Sequence, residues 1–175
     1  MDTRTYPKFC LSRLLKNTFK PKNGEKICIL IDLPDLKLFH NFEFLNKPEF
    51  SIQRHAHESF YKSLHNGVMG ELGLTGGDFF AYIEAGGSNL DLPDLAVAPD
   101  GTELSLERDV YPNYDIILCI STYSATAPLT AFAKQIGFRG ATLHGINDII
   151  LNSGLAVDYN EVSRDAEKLR LALTR

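Results

Sequence analysis

Two unbroken apolar runs organise the chain: Ile27, Cys28, Ile29, Leu30 and Ile31 near its start, and Ile116, Ile117, Leu118, Cys119 and Ile120 well past its middle. A strand with one wet face alternates apolar and polar residues, so a continuous run marks a strand covered on both faces, as in parallel sheets. Both are expected side by side, or one strand apart, at the centre of a parallel sheet. Phe79-Phe80-Ala81-Tyr82-Ile83 reads as a third strand closed by Gly86-Gly87, and the short segment 138–143 as a fourth. A stop at Leu33-Pro34-Asp35 ends the first, because proline donates nothing to a ladder.

Between the strands the period changes. In 8–19, Leu11, Leu14, Leu15, Thr18 and Phe19 share one helical face, away from Arg13, Lys16 and Asn17. In 50–72, Ile52, Ala56, Phe60, Leu64, Val68 and Leu72 recur at every fourth position opposite Gln53, Arg54, Glu58 and Lys62, which predicts one long crossover helix with Gly67 and Gly70 inside it. A right-handed crossover then sets the third run parallel and adjacent to the first. A helix runs from Pro128 to a stop at Gly137, and 145–152 holds a short one. The phenylalanine-rich 36–48 has no clean period and reads as loop or short helix. Turn residues crowd 88–114, leaving room for a short strand near Leu95 and a short helix over 104–110. The last helix opens with Asp158 and, three residues on, Glu161, the spacing of a capping box. Its stripe of Tyr159, Val162, Ala166, Leu169 and Leu173 is expected to pack on the sheet, leaving Leu171 as a second apolar edge for an interface.

These elements predict one three-layer α/β domain over 1–175, with a mostly parallel sheet of about four or five strands in a Rossmann-like or flavodoxin-like winding. A formal charge of −4 argues against a nucleic-acid surface. There is no leader-like start and no apolar run of about 18 residues, so a cytoplasmic protein without a membrane partner is expected. Cys10, Cys28 and Cys119 are widely spaced, two of them inside strands, where cysteine behaves as a small hydrophobe.

Ligands of open parallel sheets bind beyond the carboxyl ends of the strands, which directs attention to 121–126. Ser121, Thr122, Ser124 and Thr126 offer hydroxyls and free amides at a helix start, where an anion can bind; the competing reading is that Ser124 or Thr126 only caps the helix. Asp32, ending the first strand, has a turn-capping and a ligand-facing reading, and His144 has a proton-donor reading for which spacing assigns no carboxylate partner. His55, His57 and His65 do not chelate one ion: the first two project about 200° apart, and the last two lie about 12 Å apart along a helix. They are expected on a solvated face. The glycines at 67, 70, 73, 76 and 77 follow a helix, the wrong context for a dinucleotide loop.

Lys20-Pro21-Lys22-Asn23-Gly24-Glu25-Lys26, Arg139-Gly140-Ala141-Thr142-Leu143-His144-Gly145-Ile146 and Val157-Asp158-Tyr159 together resemble the N-terminal half of the leucyl-aminopeptidase-like metalloenzymes, which include aminopeptidase T type metallopeptidases and a ring-cleaving dihydroxypyridine dioxygenase. Relatives often have Thr-His-Thr where this chain has Thr126-Ala127-Pro128, and Pro-Gly-Ile at His144-Gly145-Ile146. The resemblance implies a substrate-gating N-terminal domain of a hydrolase, with no metal ligands of its own and a divalent metal held in a C-terminal domain beyond residue 175. The alternative is a free-standing domain binding a small molecule, peptide or protein. Tyr159, Val162, Leu169, Leu171 and Leu173 are the expected contacts to that further domain or to a second copy.

Overall fold

The computed structural model describes residues 7–174, so residues 1–6, part of the stretch read for a leader, lie outside it. The chain runs through α1 (Leu11–Phe19), β1 (Lys26–Leu33), α2 (Ser51–His55), α3 (Met69–Leu72), β2 (Thr75–Ile83), β3 (Leu95–Val97), β4 (Glu103–Ser105), β5 (Ile116–Ile120), α4 (Thr126–Ile136), β6 (Arg139–Thr142), α5 (Asp148–Leu151) and α6 (Tyr159–Leu173). One sheet has the order β4-β3-β2-β1-β5-β6, parallel from β2 to β6 and antiparallel at β3 and β4. The two apolar runs are direct neighbours, with Ile29 opposite Leu118. The sheet has six strands, β4 being the one the turn-dense sequence concealed.

Alternate residues of the central strands feed two cores. Ile27, Ile29, Ile31, Phe79 and Leu118 pack against α1, the phenylalanine-rich segment, the 51–72 helical region and Leu151 and Leu155. Cys28, Leu30, Tyr82, Ile117 and Cys119 pack against Leu106, Tyr111 and α4. Helices thus cover both faces, giving the three-layer Rossmann-like arrangement.

Three expectations are corrected. The 51–72 region is not one α-helix: α2 passes into π-helical turns at Ala56–Tyr61 and Leu64–Val68, and the helix breaks where Gly67 takes φ 115°. A four-residue spacing advances about 40° past a full α turn at each step, so wider π turns are what keep Ala56, Phe60 and Leu64 all facing the sheet. His57 is buried rather than solvated, tilted against Phe42 at 4.8 Å and stacked with Tyr61 at 5.5 Å. Finally, α6 does not lie on the sheet: from Asn160 onward every described side chain is exposed. The face it was to cover is already filled by α1, Ile146, Leu151 and Leu155, and only Tyr159 joins them.

The two strand cysteines lie on one face, Cys28 opposite Ile117 and Cys119 opposite Leu30. Burial pushes the Cys119 thiol up to about 11 and that of Cys28 well above its ordinary range. Cys10 is exposed. A thiol reagent at neutral pH is therefore expected to modify one cysteine rapidly in the folded chain, and Cys28 and Cys119 only in denaturant. Fast native labelling of two or three would contradict the packing.

Candidate functional site

Successive strands are added on one side of β1 (β2) and then on the other (β5), so the winding reverses between β1 and β5. Chains entering and leaving at such a point diverge, opening a crevice at the carboxyl ends. Asp32 ends β1 inside this crevice and is 2% exposed. Its carboxylate accepts from the Thr122 backbone N–H at 2.9 and 2.8 Å, from the Thr122 hydroxyl at 3.2 Å and from Gln53 Nε2 at 2.8 Å. Gln53 Nε2 also donates to the Asp32 carbonyl at 2.9 Å and to Thr122 Oγ1 at 3.1 Å. One buried carboxylate thereby joins β1, α2 and the loop after β5. These three donors, with the Tyr123 N–H at 3.4 Å as a fourth, offset much of the desolvation of the one charge.

The remaining predicted residues divide by depth. Ser121 is fully buried and donates to the Tyr123 carbonyl at 2.6 Å, with the Cys119 thiol 3.8 Å behind it and Tyr82 3.5 Å from that thiol. Ser121 therefore shapes the loop from within. Ser124 and Thr126 lie on the rim, their hydroxyls 3.0 Å apart, and Thr126 continues to the Thr142 hydroxyl at 2.7 Å. His144 is exposed, and no hydrogen bond or ion pair of the described residues involves it, so it stands apart from the Asp32 network.

The expected capping by Ser124 or Thr126 holds only in part: the Ser124 hydroxyl accepts from the Thr126 N–H at a long 3.4 Å, but neither residue stands at the N-cap. Ala125 occupies the N-cap of α4 and has no side chain to serve. Asn89, in the loop after β2, supplies the shorter bond: its Oδ1 takes the Ala127 N–H at 3.0 Å. Its own N–H donates to the Ser124 carbonyl at 2.6 Å, and the Ser88 hydroxyl accepts from the Ser124 N–H at 3.2 Å. Asn89 reaches this position with φ 62°, a left-handed conformation its short polar side chain tolerates. Asp32 on the Thr122 amide and Asn89 on the Ala127 amide thus engage two of the amides that an anion would use.

Gln53 and Asn89 are the residues that sequence reasoning missed. Gln53 sits on what reads as the polar side of a helix, and only knowledge of where α2 ends would place it over Asp32. Asn89 carried a weak signal, following Gly86-Gly87-Ser88 in a run of turn residues.

Beside the rim, α4, β6 and the end of α1 line an open cavity of about 500 Å³, whose lining includes Thr126, Thr130, Thr142, Leu129 and Lys134. Below it Arg139 donates to the Phe19 carbonyl and pairs with Glu25 at 2.5 Å. No group of three or more His, Cys, Asp or Glu side chains among the described residues is placed to hold a metal ion. Among them too, no helix is long and apolar enough to cross a membrane.

Fold and site together define a Rossmann-like α/β domain whose switch-point crevice is bridged at its base by Asp32 and Gln53 and at its rim by Asn89. Comparisons with family models, with curated proteins and with solved structures find no match to this chain.

Proposed function

We propose that the chain is an N-terminal, substrate-gating domain of an aminopeptidase-like metalloenzyme, contributing a crevice wall but neither metal ligands nor peptidase chemistry. The observation that carries this reading is the internal satisfaction of the crevice: Asp32, the central carboxylate, spends its lone pairs on Thr122 and Gln53, while the hydroxyls of Ser124, Thr126 and Thr142 form a neutral row at the rim. A rigid hydroxyl row can orient the backbone of a polar substrate without reacting with it. The resemblance adds support, because two of the segments that carry it are in contact: Glu25 of the first pairs with Arg139 of the second. On the resemblance the ligands of a divalent metal belong to a following domain.

The test is the reading frame after codon 175. It is expected to continue into a segment rich in Glu, His and Asp, and the full-length product is expected to show metal-dependent aminopeptidase activity that the 1–175 chain lacks. In equilibrium dialysis the 1–175 chain should hold no stoichiometric zinc, cobalt or manganese. A stop codon directly after residue 175, or tight metal binding by the chain alone, would overturn the proposal.

The cavity beside Thr126 favours a second reading, a free-standing small-ligand domain, since about 500 Å³ lies within the size range of ligand pockets. A stop codon would leave that reading standing.

A further inference from the structure

The open cavity beside the crevice rim has a cationic lining in an acidic chain. The formal net charge is −4, yet among the described residues that line the cavity none is Asp or Glu, and Lys134 and Arg139 are cations. Arg139 is neutralised by Glu25 and held by the Phe19 carbonyl, so the unspent charge is that of Lys134. No hydrogen bond or ion pair of the described residues involves the Lys134 ammonium. Neutral donors stand beside it. The sheet ends at β6, and the outward N–H groups of Gly140 and Thr142, with no further strand to meet, border the cavity. The Thr18 and Thr130 hydroxyls line it as well, without a hydrogen bond among the described residues. A Cβ at Gly140 would lie 2.9 Å from Leu129 Cδ2, closer than packed carbons approach, so the glycine is what lets Leu129 form the apolar wall.

Phe19 and Phe138 extend that wall. One unpaired cation beside neutral N–H and O–H donors selects a negatively charged head, and the aromatic and aliphatic wall selects an apolar body; ligand pockets combine the two in this way. We propose that this cavity binds a small organic anion, a carboxylate or phosphate monoester carried on an aromatic or aliphatic body. Lys134 supplies the counter-charge, and the Gly140 and Thr142 amides with the Thr130 hydroxyl supply the donors. The proposal rests on the small-ligand reading of the cavity, whose ligand it names by chemistry, and it draws nothing from the aminopeptidase-like reading.

The test is a titration of the full chain with hydrocinnamate, phenyl phosphate, hydrocinnamamide and inorganic phosphate, followed in its amide NMR spectrum. The two organic anions are expected to bind with dissociation constants on the order of 1 mM, the tighter of them identifying the head group. Hydrocinnamamide, which lacks the charge, and inorganic phosphate, which lacks the body, should each bind at least about tenfold more weakly. Shifts should centre on the Gly140 and Thr142 amides and leave Thr122, in the crevice, unmoved. Lys134→Gln should weaken both organic anions about fivefold without changing hydrocinnamamide, and Thr130→Trp should block all binding by filling the cavity. Both positions are exposed, so an unchanged thermal midpoint separates lost binding from lost folding. Hydrocinnamamide or inorganic phosphate binding as tightly as the organic anions, full affinity in Lys134→Gln, or shifts centred on Thr122 would each overturn the organic-anion assignment while leaving the small-ligand reading in place. No binding of any of the four probes up to about 10 mM would overturn both.

Discussion

Phe79→Ala is expected to lower the free energy of unfolding by about 4 kcal/mol, the middle of the range for truncating a buried aromatic. Phe79 is 2% exposed on β2 and is the ring that most of the aromatic cluster meets: Tyr61 stacks on it at 5.0 Å, Phe39 meets it edge-on at 5.2 Å, and Phe42, Phe44 and His57 lie within 6.5 Å. Those partners come from the 36–46 segment and the π-helical turn at Ala56–Tyr61, elements with poor internal hydrogen-bond geometry that depend on this packing. Neither can collapse into the space without leaving the sheet. Urea unfolding should show the midpoint fall, with Phe79→Leu retaining most of the loss. A decrease below about 1.5 kcal/mol for the alanine variant would mean the cluster closes over the gap.

Asp32→Ala is expected to cost about 3 kcal/mol, because it removes a buried carboxylate that accepts from the Thr122 amide and hydroxyl and from Gln53, and leaves the buried Gln53 amide one acceptor short. Asp32→Asn should cost nearly as much. Its amide can accept through one oxygen only, and its NH2 then confronts the N–H of Thr122 or the NH2 of Gln53. Because the loop after β5 is held through Asp32, the loss should also be local. Hydrogen exchange at the Thr122 amide should accelerate more than at Leu118 in the strand centre. Equal acceleration at both would show that Asp32 supports the whole fold and not the crevice in particular.

The central fold was legible in the sequence where burial is two-sided. The runs at β1 and β5 have no polar interruption, and that alone requires neighbours on both edges and cover on both faces. Where an element is set by tertiary contact the pattern was silent. The three residues of β4 carry too little periodicity to register, and the 36–46 segment turns on Asn41 and Phe42 at φ 48° and 58°, held by the ring cluster and the Asn41 N–H to Pro99 bond. The crevice was legible by position, since Asp32 and Thr122 do meet across 90 residues. Its chemistry was not, because the residues that close it come from a helix surface and a turn whose placement depends on the assembled sheet.

The sheet tapers. Its inner strands β1 and β2 have 8 and 9 residues, whereas the edge strands β4 and β6 have 3 and 4. An unpaired strand edge is a template on which other chains add, and shortness is one of the ways natural sheets blunt it. At the β6 edge, only Gly140 and Thr142 turn their backbone groups away from β5, since Arg139 and Leu143 donate toward it. Two residues are too few to hold an incoming strand in register. The same taper that narrows the domain toward its margins therefore guards it against edge-to-edge aggregation and amyloid-like growth, while the most aggregation-prone sequences in the chain, the Ile-rich runs, stay sealed at the centre.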